Sequence, residues 1–351
     1  MYRLRITTLF WSAVLLYAAP SNGPAQSWSQ WMKQGQELED KGQFSAALVC
    51  FDSAIHRKPD YAPAYFHRAI ARYELNQKTL ALVDLNKCLL LDTGFAEAYF
   101  NRALVHHELS NDAFALTDIS KYLQYDNGNA ESLLLSASIL ERLGDYRGTA
   151  AILMKYQQSE PENPDLMQRC AKALTQSGQY AAADSWLNHC LQRFPESFDL
   201  YQLRGNNHHA SGNYTKAIED YSLCMLNKPD NAILFASRAA SKSALGATQE
   251  AVFDFQRAIT LDSNNGNYYL ELGLIRLEAQ QLTEAEQDFT QALKYKCDDL
   301  RYAMMARGLV KYNLKKGNEA CADWERASLM GSAEAASYLQ RYCAKVANPH
   351  E

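Results

Sequence analysis

Small and large apolar residues recur along this chain at a fixed interval of 34 residues, from Trp28 to about residue 334. Prolines mark the interval: Pro161, Pro195 and Pro229 are 34 residues apart, and Pro59 lies three intervals before Pro161. With proline at place 32, units begin at Trp28, Ala62, Ala96, Ala130, Pro164, Phe198, Ala232 and Gly266. One extra residue near 297–299 then shifts the phase, and a ninth unit starts at Arg301. Place 8 is always small: Gly35, Ala69, Ala103, Ala137, Ala171, Gly205, Ala239, Gly273 and Gly308. Place 20 runs from Ala47 to Ala320 and is alanine in every unit but the fourth, which has Thr149. Place 24 is always bulky: Phe51, Leu85, Ile119, Leu153, Leu187, Tyr221, Phe255, Phe289 and Trp324. Small residues let two helix backbones approach, and the bulky one is expected to fill the space between neighbouring units. Each unit therefore predicts a helix, a turn and a second helix. Turns are read at Lys41-Gly42, Leu143-Gly144-Asp145, Ser177-Gly178, Ser211-Gly212-Asn213 and Lys316-Gly317-Asn318, where glycine ends a helix at low cost. One such unit cannot bury its apolar face alone, so stacking must supply the core.

These columns resemble the tetratricopeptide repeat family, whose signature has small residues at places 8, 20 and 27 and proline at 32. The likeness runs over residues 28–334. Place 32 departs to Thr93, Asn127, Ser263, Cys297 and Ser332, residues that also suit turns. The resemblance implies an all-α, right-handed superhelical solenoid of nine helix–turn–helix units: 28–61, 62–95, 96–129, 130–163, 164–197, 198–231, 232–265, 266–300 and 301–334. Residues 335–346 (AASYLQRYCAKV) read as one amphipathic helix capping the last unit, and 347–351 as a tail.

Residues 1–25 follow another pattern. Arg3 and Arg5 precede the apolar run 6–19, and Pro20 and small residues up to Ala25 follow. That is the order of a secretory signal peptide, and the run is too short to span a bilayer. Export to a periplasm or other lumen is the expectation, with Gln26 opening the mature chain. Charged residues make up 21% and hydrophobic ones 47%, which fits a soluble repeat domain. Lys and Arg number 35 against 40 Asp and Glu, a net charge of −5, so a nucleic-acid surface is not expected. A protein or extended peptide is the expected partner, and self-association stays open.

Charge is also periodic. Place 7 is arginine in five units (Arg68, Arg102, Arg204, Arg238 and Arg307), and place 23 is aspartate in six (Asp84, Asp118, Asp220, Asp254, Asp288 and Asp323). Five of the aspartates share a unit with an arginine, and the first, fourth and fifth units lack both. Catalytic groups do not come in evenly spaced copies. A buried Arg–carboxylate bridge that fixes hairpin register is the expected role. The absence of the pair from 130–197 marks that segment either as a softer joint or as an older form of the unit.

The chain contains no glycine-rich phosphate loop, Gly-x-Ser-x-Gly, His-Glu-x-x-His or Cys-x-x-Cys. His106-His107 and His208-His209 fall at places 11 and 12; adjacent helical residues diverge by about 100° and cannot share a metal. His106 and His208 are expected in the core, and His107 and His209 in the groove. No cofactor, metal or enzymatic activity is expected. Cys88, Cys190 and Cys224 stand for the small residue at place 27, Cys170 reads as core, and Cys321 and Cys343 are a candidate disulfide holding the cap.

The resemblance further implies that places 2, 5, 9, 12 and 13 of the first helices line a concave, peptide-binding face. That face is apolar at Phe66, Ile70, Phe100, Leu104, Leu270, Leu274, Met305 and Leu309. It is polar at Asp165, Gln168, Lys172, Asp199, Gln202, Asn206 and His209. Amides both donate to and accept from a peptide backbone, so the polar stretch is the candidate groove. The carboxylate clamp of co-chaperone repeats is disfavoured. Its positions hold Gln202, Asn206, Ser237, Asn267 and Glu271, of which only Asn206 matches.

Overall fold

A computed structural model describes residues 26–126, 130–157 and 163–343. The signal-peptide reading of 1–25, the last three residues of the expected cap (344–346) and the tail lie outside the described residues. All regular structure among the described residues is helical. The helices are α1 (Trp28–Asp40), α2 (Phe44–Arg57), α3 (Ala62–Glu74), α4 (Lys78–Leu91), α5 (Ala96–Glu108), α6 (Asp112–Tyr125), α7 (Ala130–Leu143), α8 (Tyr146–Gln157) and α9 (Pro164–Gln176). They continue as α10 (Tyr180–Arg193), α11 (Phe198–Ala210), α12 (Tyr214–Asn227), α13 (Ala232–Ala244), α14 (Thr248–Leu261), α15 (Gly266–Glu278), α16 (Leu282–Lys294), α17 (Leu300–Asn313), α18 (Gly317–Leu329) and α19 (Ala333–Tyr338). Contacts divide the chain into two units, 1–173 and 174–351, with the boundary inside α9.

Within a repeat, the first helix ends the same way each time. The residue at place 15 takes a left-handed conformation. The next N–H donates five residues back, as from Gln43 to Leu38, Asn213 to His208 and Lys316 to Lys311, each at 2.8 Å. This Schellman closure satisfies carbonyls at the helix end and turns the chain into the second helix, whose start generally has no side-chain cap. Glycine occupies place 15 at Gly42, Gly144, Gly178, Gly212 and Gly246, but Asn76, Ser110, Gln280 and Lys315 also adopt positive φ there. The turn expected at Lys316-Gly317-Asn318 is therefore corrected. Lys315 (φ 65°) makes the bend, and Gly317 already opens α18. A side chain in the left-handed region is strained by Cβ, so Lys315→Gly is expected to stabilise the ninth repeat by about 0.5–1 kcal/mol. Urea midpoints of the two proteins check it; an unchanged or lower midpoint for the variant refutes it.

The bulky residue at place 24 shares a core cluster with the next unit, as Phe51 does with Ala64 and Ala71 and Phe289 with Ala303 and Ala306. It also fills its own hairpin. A Cβ on Gly35 would sit 2.5 Å from Phe51, one on Gly205 2.8 Å from Tyr221, one on Gly273 2.9 Å from Phe289, and one on Gly308 2.5 Å from Trp324. Where place 8 is alanine, the residue at place 24 is usually aliphatic, as in Ala69 with Leu85 and Ala103 with Ile119. Ala239 beside Phe255 is the exception. All of these place-24 side chains are fully or almost fully buried.

Successive first helices touch each other, α1 with α3, α3 with α5 and α5 with α7 in one unit, and α11 with α13, α13 with α15 and α15 with α17 in the other. Among the described residues, successive second helices make no comparable contact. Curvature follows from that asymmetry: in each unit the first helices lie on the inner, tighter side.

The expected cap at 335–346 starts two residues early. Ser332 sets its start by accepting the Ala335 N–H, so that α19 begins at Ala333 and passes into a π-helical turn at Leu339–Cys343.

Candidate functional site

The aspartates at place 23 are buried and each receives arginine in a fork, Asp288 excepted. Arg68 donates to both oxygens of Asp84 at 2.9 and 2.6 Å, and Arg102 to Asp118 at 2.7 and 2.6 Å. Arg204 does so to Asp220 at 3.0 and 2.7 Å, Arg238 to Asp254 at 2.8 Å twice, and Arg307 to Asp323 at 2.8 and 2.6 Å. Bidentate geometry fixes the guanidinium plane. Four of these arginines also lie over the aromatic ring three residues earlier: Tyr65, Tyr99, Tyr201 and Phe235.

Each arginine has a third partner. Its remaining nitrogen reaches back to the preceding repeat, to Asp52, Asn86, Asn188, Ser222 or Thr290. The bridge therefore fixes both a hairpin and the seam to its neighbour.

Tetratricopeptide repeat patterns match residues 32–87, 140–206 and 198–231. The chain is a tetratricopeptide repeat protein. Similar solved structures include a tetratricopeptide repeat protein from Parabacteroides merdae ATCC 43184, 19% identical, covering 72% of this chain and 99% of that one, with a TM-score of 0.43. YrrB, a TPR protein with an unusual peptide-binding site, is 21% identical, covering 57% of this chain and 97% of its own, with a TM-score of 0.46. The human IFIT1 dimer with m7Gppp-AAAA is 17% identical, covering 93% and 84%, with a TM-score of 0.51. At such identities the likeness concerns fold alone. No curated protein matches the chain in sequence.

In this repeat protein a second cation, missed in the sequence, completes most of the bridges. Place 11 supplies Arg72 to Asp84 at 2.7 Å, Lys242 to Asp254 at 3.0 Å, Arg276 to Asp288 at 2.6 Å and Lys311 to Asp323 at 3.0 Å. Place 11 was expected to pack; in these repeats it pairs. His208 is buried, as expected, but its role is polar. Nε2 meets Asp184 at 2.9 Å, and Nδ1 lies 3.1 Å from Asp220 without hydrogen-bonding alignment. His106 is only half-buried and stacks on Phe114, with burial holding its ring below the usual imidazole range. His107 and His209, expected in the groove, are each held by a neighbouring side chain. Asp112 binds His107 at 2.6 Å with 12% of its side chain exposed, and Ser241 binds His209 at 2.8 Å. Among the described residues no group of three or more His, Cys, Asp or Glu side chains could hold a metal.

Asp288 is the outlier. Leu272 stands where an arginine would be, so only Arg276 reaches it. Burial raises its carboxyl to about 6, against the opposing pull of Arg276 and with a small push from Glu284. The folded value lies above the unfolded one, so the ionised form is the less favoured one in the fold. Stability from this site therefore grows as pH falls from about 7 towards 4. Comparing urea midpoints at pH 7.5 and 5, the native chain is expected to gain more on acidification than Asp288→Asn. Equal gains would rule the site out as the cause.

The seven candidate groove residues fall in the two units. Asp165, Gln168 and Lys172 belong to the first unit, where Asp165 and Lys172 are exposed and Gln168 is half-buried. The others belong to the second unit. There Asp199 accepts from Lys228 at 3.1 Å, Asn206 accepts from the Tyr221 hydroxyl at 2.9 Å, and His209 is bound to Ser241. Gln202 is half-buried, and Asn206 is exposed.

Cys321 and Cys343 are joined by a disulfide with Cα atoms 5.9 Å apart. The other six cysteines are buried. Burial pushes the thiol of Cys88 up to about 12 and those of Cys190 and Cys224 to about 11.

Proposed function

We propose that this is an exported, non-enzymatic adaptor that binds an extended protein segment on the inner face of its second unit. One observation carries the reading: four successive first helices, α11, α13, α15 and α17, touch in series and present a continuous band. The band starts at Gln202 and Asn206, dips at Ala236 and Ala240, and continues at the half-buried Leu274 and Leu309, whereas Leu270 and Met305, also expected on this face, are buried in the core. Small side chains in α13 leave room for a backbone to approach. Amides at one end and apolar side chains at the other suit a strand-like ligand with alternating needs. At about 10 Å per helix layer the band spans about 30 Å, which about nine extended residues would cover.

Asn206→Ala would strand the Tyr221 hydroxyl, so the informative pair is Gln202→Ala with Asn206→Asp, which keeps the acceptor and removes the amide donor. Crosslinking and mass spectrometry of the chain in its native compartment are expected to place one partner on 199–309, and the double variant to lose it. Crosslinks only between copies of the chain would favour the alternative, a self-associating envelope or lumenal subunit. Crosslinks to RNA would overturn both. Export is tested separately: the N-terminus of the protein recovered from cells should read Gln26, and an intact Met1 refutes cleavage.

A further inference from the structure

We propose that residues 333–343 form a redox-latched strap: a counterpart of a repeat's first helix, held over the edge of the ninth repeat by the Cys321–Cys343 disulfide and released by a dithiol.

The register supports the counterpart. Ala335 is the third residue of α19 and is fully buried, as Ala64 and Ala98 are at the third residues of α3 and α5. Cys343 follows Ala333 by the ten residues that separate His208 from Phe198, and Cys321 follows Arg301 by the twenty that separate Asp184 from Pro164. His208 and Asp184 meet at 2.9 Å across the seam between α10 and α11. The disulfide thus takes the place of an ionic contact between neighbouring repeats, at the last seam among the described residues.

The latch matters because little else holds the strap among the described residues. Its described part, six α-helical and five π-helical residues, gains little stability from helix formation alone. No second helix folds back on it among the described residues, whereas α17 has α18. Its other hold is a small ring cluster, Tyr338 against Trp324 at 5.1 Å and Tyr342 against Tyr312 at 4.6 Å, with Leu339 packed alongside. Opening would uncover Met305 and Trp324, the edge that a following repeat would otherwise cover.

Access favours an external reductant. Cys321 and Cys343 are partly exposed, and the remaining cysteines are buried with thiols that resist ionisation where burial raises them. Internal exchange is therefore suppressed. A thiolate of the dithiol attacks one sulfur and expels the other as a thiolate, and the second thiol then closes on the mixed disulfide. Two electrons and two protons pass to the protein, leaving two cysteine thiols and an oxidised, cyclic or bridged disulfide on the reductant.

The test is hydrogen–deuterium exchange by mass spectrometry on the full chain, with and without dithiothreitol, alongside alkylation that reports both thiols. Reduction is expected to speed exchange ~10-fold or more in peptides from 300–343 and to leave 26–126 unchanged. Cys343→Ser should show the fast exchange under both conditions. If that variant fails to fold, the comparison on the native chain still decides. Complete alkylation of both cysteines without faster exchange would overturn the proposal, because packing alone would then hold the strap. So would equal acceleration throughout the chain, or both thiols alkylating before any reductant is added.

Discussion

Asp254→Ala is expected to cost about 3–5 kcal/mol, the largest loss of any single carboxylate in the second unit. Its carboxylate is completely buried and receives Arg238 through two hydrogen bonds and Lys242 through a third contact. Both cations are mostly buried, with 19% and 13% of their side chains exposed. Removing the aspartate strands two charges where water reaches them poorly, so the penalty comes mainly from what remains. Asp288→Ala provides the contrast. It strands only Arg276, and it removes a carboxylate whose burial already works against its charge. A clearly smaller loss is expected there. Because repeats unfold in neighbouring groups rather than always together, the measurement pairs urea unfolding with hydrogen exchange in 232–294. A loss under about 1 kcal/mol for Asp254→Ala would mean that Arg238 and Lys242 regain water freely. The bridge would then set register without adding stability.

The ionic seams show what could be read from residues alone. Arginine at place 7 and aspartate at place 23 come and go together, so the bridge was visible as covariation within one chain. The second cation carried a signal of the same kind. Place 11 is Leu38, Leu140 and Leu174 in the three repeats without the bridge, and Arg, Lys or His in all six with the aspartate. It was missed because His106 and His208 break up the column of permanent cations, so the position looked like packing. The inner-face residues were harder. Their place in a repeat locates them, but Asp199, Asn206 and His209 are occupied by Lys228, Tyr221 and Ser241. Those partners depend on rotamers and helix separation, which a repeat pattern does not encode. The left-handed bend at Lys315 was hidden for a related reason. A glycine two residues later drew the turn to itself, whereas the hydrogen bond from Lys316 to Lys311 fixes the bend by count from the helix end.

Gly308→Ala is expected to destabilise the ninth repeat by about 1–3 kcal/mol, although alanine is the better helix former by about 1 kcal/mol. The added methyl would lie 2.5 Å from Nε1 and 2.6 Å from Cδ1 of Trp324. That indole has little freedom to move. It is fully buried, donates to the Met305 carbonyl at 3.1 Å, and packs against Tyr312, Tyr338 and Tyr342. The protein contains its own remedy, since repeats with alanine at place 8 often carry a smaller residue at 24, as Ala69 does with Leu85. Trp324→Leu alone should leave a cavity, and combined with Gly308→Ala it should lose less than the two single losses summed. A coupling of about 0.5–3 kcal/mol is the expected size for residues in direct contact. Additive losses would mean that α17 and α18 simply move apart to admit the methyl. In that case place 8 and place 24 would be matched by helix propensity and not by the space between the two helices.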